Sequence, residues 1–205
     1  MKKTITLSLL LGLSGLLLSV DTQAQETQTL ISQGISHGGY GAPVFGVTFV
    51  NGQATYLRGI RGAWIIHLSA EHAVQIGLGS YRTRSDFNAS GWANPDIIEP
   101  VMSTNYGGFE LEYVNQSHRL VHYSIQALIG SGNVRYRDRG LDLNRTSNNY
   151  FVLQPGVNLN LNITNWFRLS GGLFYRFAGG VNLEGTGNTE LSGITSFVGL
   201  RFGKF

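Results

Sequence analysis

Eight segments of this chain alternate oily and polar residues with a period of two, with few stretches of helical periodicity between them. A period of two places every second side chain on the same side of an extended strand, so each segment has one oily and one polar face. The segments run approximately over 43–50, 54–67, 73–83, 104–114, 120–136, 149–161, 166–177 and 192–202, bounded by clusters of Asn, Gly, Ser and Asp. In the fourth, Phe109, Leu111 and Tyr113 oppose Gly108, Glu110 and Glu112. In the sixth, Phe151, Leu153, Val157, Leu159 and Leu161 oppose Gln154, Gly156, Asn158 and Asn160. In the seventh, Phe167, Leu169, Leu173, Tyr175 and Phe177 oppose Arg168, Ser170, Gly172, Phe174 and Arg176.

The connections alternate in length. Short ones at 68–72, 115–119 and 162–165 lie between long ones at 84–103, 137–148 and 178–191, and only the tight turn Asn51-Gly52 is short where a long loop is expected. An even number of strands with long loops at one end and tight turns at the other is the organisation of outer-membrane barrels. Two alternating layers would also form a soluble sandwich, but its outward polar face carries many charges. Here only 13% of residues are charged, against roughly a quarter in ordinary soluble domains, and the polar faces are rich in Gly, Asn and Gln. That composition suits a narrow lumen filled by side chains.

Backbone physics gives the same answer. In hydrocarbon every N–H and C=O must be paired, so a sheet crosses a membrane only as a closed cylinder. The expected fold is therefore all-β, a closed antiparallel up-and-down transmembrane β-barrel of about eight strands. Trp64, Tyr113, Trp166, Phe167 and Phe177 near strand ends are expected at the membrane interfaces, with Tyr56, Tyr106 and Tyr123 as further candidates. Pro155 removes a ladder donor in a strand without an edge, which predicts a bulge at Gln154-Pro155-Gly156.

Residues 1–24 order two lysines, an apolar run from Ile5 to Val20 and small residues up to Ala24, the pattern of a cleaved signal peptide. The expected organisation is thus a leader over 1–24, an N-terminal periplasmic segment over 25–41 and a barrel over 42–205. The absence of Cys excludes disulfides, thiolate metal sites, a thiol nucleophile and a lipid anchor on cysteine. A formal net charge of +3 is too small to imply nucleic-acid binding.

Charges in a narrow lumen must pair, because isolated buried ions are very costly. Glu110, Glu112, Arg168, Arg176 and Arg201 all fall on polar faces and are expected to form a lumenal charge cluster that stiffens the barrel, or that gates a small pore when its pairs rearrange. Carboxyls two residues apart on a strand lie about 7 Å from each other, but no substrate cleft accompanies them. His118 and His122 are four residues apart, roughly 13 Å along a strand, too far to share a metal. His67 and His72 flank a short turn, and His122 and Ser124 share one face that points inward. No catalytic residue, metal site or cofactor is expected. The loop at 84–103 mixes Phe87, Trp92, Ile97, Ile98 and Met102 with polar residues and is a candidate contact surface. Residues 135–145, RYRDRGLDLNR, carry four arginines suited to lipopolysaccharide phosphates.

The terminal stretch GLRFGKF at 199–205 resembles the C-terminal strand of bacterial outer-membrane barrels, which implies a signal for the barrel assembly machinery in Phe202 and Phe205. GGYGAP at 38–43, NGQ at 51–53, RGAWIIHLS at 61–69, FELEYVN at 109–115, LVHYSIQALIGSGNVRYRDR at 120–139 and PGVNLNLNITNWFRL at 155–169 are similar to segments of small outer-membrane β-barrel proteins. The resemblance implies a fold and a location in the Gram-negative outer membrane, among outer-membrane lipids and lipopolysaccharide, and no reaction. The expected role is structural, adhesive or surface-contact. The alternatives are a small gated pore, an outer-membrane lipid-modifying enzyme and a soluble barrel that binds an apolar ligand.

Overall fold

The computed structural model describes residues 35–84, 87–88, 100–138, 141–183 and 185–205; residues 1–34, among them the leader expected over 1–24, lie outside the described residues. Among the described residues the strands are β1 (His37–Val50), β2 (Gln53–His67), β3 (His72–Arg84), the two-residue β4 (Phe87–Asn88), β5 (Pro100–Asn115), β6 (Val121–Asp138), β7 (Leu141–Asn162), β8 (Phe167–Gly179) and β9 (Gly193–Lys204), with one short helix, α1 (Asn188–Leu191). Every neighbouring pair is antiparallel. β3 pairs with β5 and β1 with β9, so eight strands close a ring and β4 extends the rim on β5. The chain is a closed eight-stranded up-and-down barrel.

The oily faces turn outward. Phe109 is 71% exposed and Ile60 69%, and Leu78, Leu111, Ile125, Ile129, Val157, Leu159 and Leu173 are exposed with them. Leaving such side chains in water forgoes about 1.5–3 kcal/mol each relative to burial, and a contiguous belt of them is far larger than the apolar patches of soluble monomers. The wall is built for hydrocarbon. This is the reverse of a soluble barrel that encloses an apolar ligand.

Both termini of the barrel and the turns at 68–71, 116–120 and 163–166 lie at one end, called here the turn end; the turn at 51–52, the strand ends Arg84, Pro100, Asp138 and Leu141, and the helix α1 lie at the other, the loop end. The Asn51-Gly52 turn has positive φ at both residues, 49° and 69°, which matches the right-handed twist of the strands it joins. The Asn51 N–H donates to the Glu190 carbonyl of α1 at 2.6 Å, which ties the helix to the turn.

Two expectations are corrected here. β1 begins at His37, so residues 37–41, expected in the N-terminal segment of 25–41, belong to the barrel expected to start at 42. This glycine-rich run has no hydropathic alternation, but it pairs along β2 from His37↔Ile66 to Gly41↔Gly62, and a side chain at Gly38 would collide with the Lys204 carbonyl. Pro155 does not produce a bulge. It pairs with Ala127 of β6 in unbroken register, and the β7–β8 ladder omits only Gln154 and Pro155 before resuming in the same register at Leu153↔Phe177. The ring tolerates one missing donor because the flanking rungs hold the strand. The β1–β9 seam shows the same device at Pro43, with pairs lapsing between Gly41↔Phe202 and Val44↔Gly199.

Candidate functional site

The polar faces of all eight barrel strands point into the lumen, and the lumen is filled in two layers. The layer nearer the turn end is ionic. Glu112 of β5 sits at its centre, 1% exposed by side chain: Arg61 of β2 donates from Nη2 to Oε2 at 3.0 Å, and Arg201 of β9 donates from Nη2 to Oε1 at 3.0 Å. Asn158 Nδ2 donates to the same Oε1 at 3.1 Å, and the Ser124 hydroxyl also donates to it. Glu110 is held by the Tyr81 hydroxyl and by Arg61 Nε at 2.9 Å; the latter contact has ion-pair distance without hydrogen-bond angles. Arg201 reaches Gln75 at 3.3 Å and Ser170 at 3.2 Å, and it lies 4.9 Å from the centre of the Tyr40 ring. The cluster links β2, β3, β5, β6, β7, β8 and β9 across the lumen, and both oxygens of the Glu112 carboxylate accept hydrogen bonds, whereas Glu110 Oε2 has only the ion-pair contact with Arg61.

The layer nearer the loop end is apolar and aromatic. Phe174 and Phe197 stack at 4.7 Å and Tyr81 and Tyr106 at 5.3 Å, with Val44, Leu57, Leu128, Val134 and Val152 around them. Glycines make this packing possible. At Gly156 and Gly172 an added methyl would meet the Phe174 ring, and at Gly132 the Tyr150 ring. Leu183 and Leu191 close the layer from above.

Of the residues expected to form the lumenal cluster, Glu110, Glu112 and Arg201 meet, and Arg168 and Arg176 do not join them. Arg168 and Arg176 lie eight residues apart on β8, roughly 26 Å at about 3.3 Å per residue, so one cluster cannot contain both. Arg176 is fully buried near the loop end, where its Nε donates to Leu191 O at 2.7 Å and its two terminal nitrogens donate to Thr48 Oγ1 and Phe49 O. Its guanidinium lies 5.2 Å from the Tyr106 ring centre. It thereby fastens α1 onto β1. Arg168 lies at the turn end, stacked 4.0 Å from the Phe205 ring centre, with a long hydrogen bond to Ser117 O and no partner for Nε among the described residues. Arg61 is the member that sequence reasoning missed. Its odd number, opposite in parity to Trp64, was the available signal that it points inward.

Trp64, Tyr113 and Trp166 are exposed at the turn end, and Phe177 is exposed towards the loop end. Phe167 stacks on Phe202 at 4.9 Å, with Trp166 6.1 Å from the latter. Tyr106 is not an interface residue: it shares the inward parity of Thr104 and is buried. Met102, expected on a contact loop, is likewise buried in the lumen from β5. Trp92, Ile97 and Ile98 lie outside the described residues. Phe202 faces out, whereas the Phe205 ring turns towards the lumen mouth, 6.0 Å from that of Tyr40. His122 and Ser124 are both buried inside; His122 Nδ1 is 3.1 Å from Arg119 O, and the Ser124 hydroxyl belongs to the Glu112 network. Among the described residues no three His, Asp or Glu side chains are placed to hold one metal ion.

An apolar outer wall around a closed ring with a packed polar and aromatic lumen defines a membrane-type β-barrel of the smallest common size. The chain has the fold of the small eight-stranded outer-membrane β-barrel proteins. Among solved structures it resembles the attachment invasion locus protein Ail of Yersinia pestis, with 13% identity, a TM-score of 0.53, and 82% of this chain and 97% of that one covered. It resembles Ail again in its complex with the heparin analogue sucrose octasulfate, at 12% identity and a TM-score of 0.53, with the same coverage. Neisserial surface protein A is similar over 84% of this chain and all of that one, with 13% identity and a TM-score of 0.54. No protein-family description and no curated protein sequence matches the chain.

Proposed function

We propose that this protein is an outer-membrane β-barrel of a Gram-negative bacterium, exported by a cleaved leader, with a structural, adhesive or surface-contact role rather than a catalytic one. The carrying observation is the pairing of an outward apolar belt with a lumen packed from the Arg168–Phe205 stack at the turn end to Leu183 and Leu191 at the loop end. A packed lumen leaves the loop end as the surface for chemistry with the outside. The similar structures carry the names of an attachment protein and a surface protein, which supports the same reading. Its partners are outer-membrane lipids and lipopolysaccharide, and the barrel assembly machinery through Phe202 and Phe205.

Cell fractionation with heat-modifiable gel mobility tests the location: the protein should appear in the outer-membrane fraction, dissolve only in detergent and migrate faster unheated. Attachment of cells lacking the gene, complemented with the full chain or with a chain whose residues 89–99 are replaced by a short Gly-Ser linker, tests the role. Recovery in a soluble fraction, or attachment indifferent to gene and loop alike, would overturn it. A gated pore is the second reading, favoured by the ionic layer. It requires conductance in planar bilayers that rises in Glu110→Ala, whereas the packed lumen gives silent bilayers. A lipid-modifying activity requires lipid A mass spectra that differ with and without the gene.

A further inference from the structure

The lumenal guanidiniums have partners or stack on rings, but Arg58 and Arg82 on the outer wall have no hydrogen-bond or ion-pair partner among the described residues. Arg58 of β2 and Arg82 of β3 are exposed and directly paired across the strands, two like charges side by side. Such a pair is destabilising by itself. No carboxylate forms an ion pair with either among the described residues. Their row continues around the wall as Phe45–Arg58–Arg82–Asn105–Asn133–Asn149, directly above the outward row Ile60–Ser80–Gly107–Ser131 on the side of the loop end. Below it lie Ile60 and Leu78, exposed and apolar.

The same row is concave. One groove of about 400 Å³ is lined by Phe45, Arg58, Ile60, Ser80 and Arg82 among others, and a second of about 460 Å³ by Ser80, Ser131, Asn133 and Asn149. Ser80 and Asn105 line both, so the grooves are neighbours along one trough. One end offers two planar guanidiniums, the other amides and hydroxyls, and the floor below is apolar. Guanidinium forks match phosphate oxygens, amides and hydroxyls match sugar hydroxyls, and exposed aliphatic side chains match acyl chains.

We infer that the Arg58–Arg82 trough is a binding site for one lipid with a phosphorylated saccharide headgroup in the leaflet at the loop end, its phosphate held by the two arginines. This rests on the reading that the barrel spans an outer membrane with its loops outward, and it assigns the lipopolysaccharide contact to the barrel wall rather than to the arginines of 135–145. The charge complement carries the choice of occupant. A neutral lipid would leave both cations facing each other without an anion.

The test uses the full chain refolded in detergent and titrated with purified lipid A, with the same glycolipid stripped of phosphate, and with phosphatidylglycerol, with bound lipid counted by native mass spectrometry. Wild type should bind lipid A at least about tenfold more tightly than Arg58→Gln/Arg82→Gln, the change expected on losing a charge-assisted phosphate contact. Dephosphorylated glycolipid should bind wild type no better than lipid A binds the double variant, and phosphatidylglycerol should bind more weakly than lipid A. Asn133→Ala, which keeps both arginines, should lower affinity for lipid A and leave that for phosphatidylglycerol unchanged. Equal affinity of wild type and double variant, or of phosphorylated and stripped glycolipid, overturns the site; equal binding of phosphatidylglycerol overturns the saccharide assignment. Heat-modifiable mobility confirms that each variant is folded, and Arg58→Lys/Arg82→Lys, which keeps charge without the fork, gives an intermediate affinity if the Gln variant does not refold. These outcomes are read in vitro, so they are separable from fractionation, on which the location of the barrel stands or falls.

Discussion

Replacing Glu112 with Ala is the most severe single perturbation of the lumen that the structure offers. The carboxylate receives Arg61 and Arg201, each at 3.0 Å, and its loss strands two guanidiniums at a depth where each side chain is 1% exposed. Removing one partner of a buried ion pair costs about 3–5 kcal/mol. Glu112 serves two such partners as well as Ser124 and Asn158, so the upper half of that range applies. Arg61 retains Glu110 and Arg201 retains Gln75 and Ser170, which keeps the loss from doubling. The folded-to-unfolded ratio should fall by a factor on the order of a thousand, at about 1.4 kcal/mol per decade. The assay is reversible urea unfolding of the barrel in lipid vesicles, followed by tryptophan fluorescence and by gel mobility of unheated samples. Glu71→Ala, at an exposed turn, is the control and should change stability by less than about 0.5 kcal/mol. The combined Glu112→Gln/Arg201→Gln variant should recover part of the loss, because it removes one cation together with the anion. A Glu112→Ala barrel within about 1 kcal/mol of wild type would refute the reasoning, since it would mean that water reaches the cluster.

The depth of the apolar belt can be read with a single probe: Phe109→Arg, in the middle of β5 and 71% exposed, should cost about 2–4 kcal/mol in the same vesicles, whereas Asn133→Arg, on the polar row, should cost about 0–1 kcal/mol. Equal costs would show that the belt does not meet hydrocarbon. Gly172→Leu drives a side chain into the Phe174 ring and should destabilise by about 1–3 kcal/mol, or more if the wall cannot yield, measured as a lowered urea midpoint. Gly171→Leu, next to it but facing open space on the outer wall, should be close to neutral. Arg176→Met removes three donated hydrogen bonds that join β8 to β1 and α1, and should raise proteolytic cleavage at 180–192 before it alters cleavage elsewhere.

Much of this barrel was legible because parity is a strict code. Once Phe109 was placed outward, Glu110 and Glu112 had to point inward, and the strand count, the closure and the two ends followed from where alternation stopped. Glycine is where the code falls silent. The run Gly38, Gly39 and Gly41 offers no hydropathy to alternate, so the start of β1 could only be found from its pairing with Trp64 and Gly62. Parity also says nothing about height. Arg168, Arg176 and Arg201 share an inward face; Arg176 stands far from the other two along β8, and Arg168, although opposite Arg201, turns to Phe205 and Ser117 rather than to Glu112, which parity cannot foretell. Arg58 and Arg82 were hidden for the opposite reason. They occupy positions where the alternation demands an oily residue, and a pattern read for its regularities passes over its exceptions.

The rung missing at Pro43 falls on the one seam that joins the two ends of the sequence. Every other ladder in the ring joins neighbours along the sequence and can zip from a nearby turn, but β1 and β9 must find each other after the rest has formed, and they do so with one donor fewer. Amide hydrogens of Val198 to Arg201 should therefore exchange with deuterated solvent sooner than those of β5 or β6. A cylinder of this construction carries its thinnest ladder where its first and last strands meet, and that line is where it should part before any other.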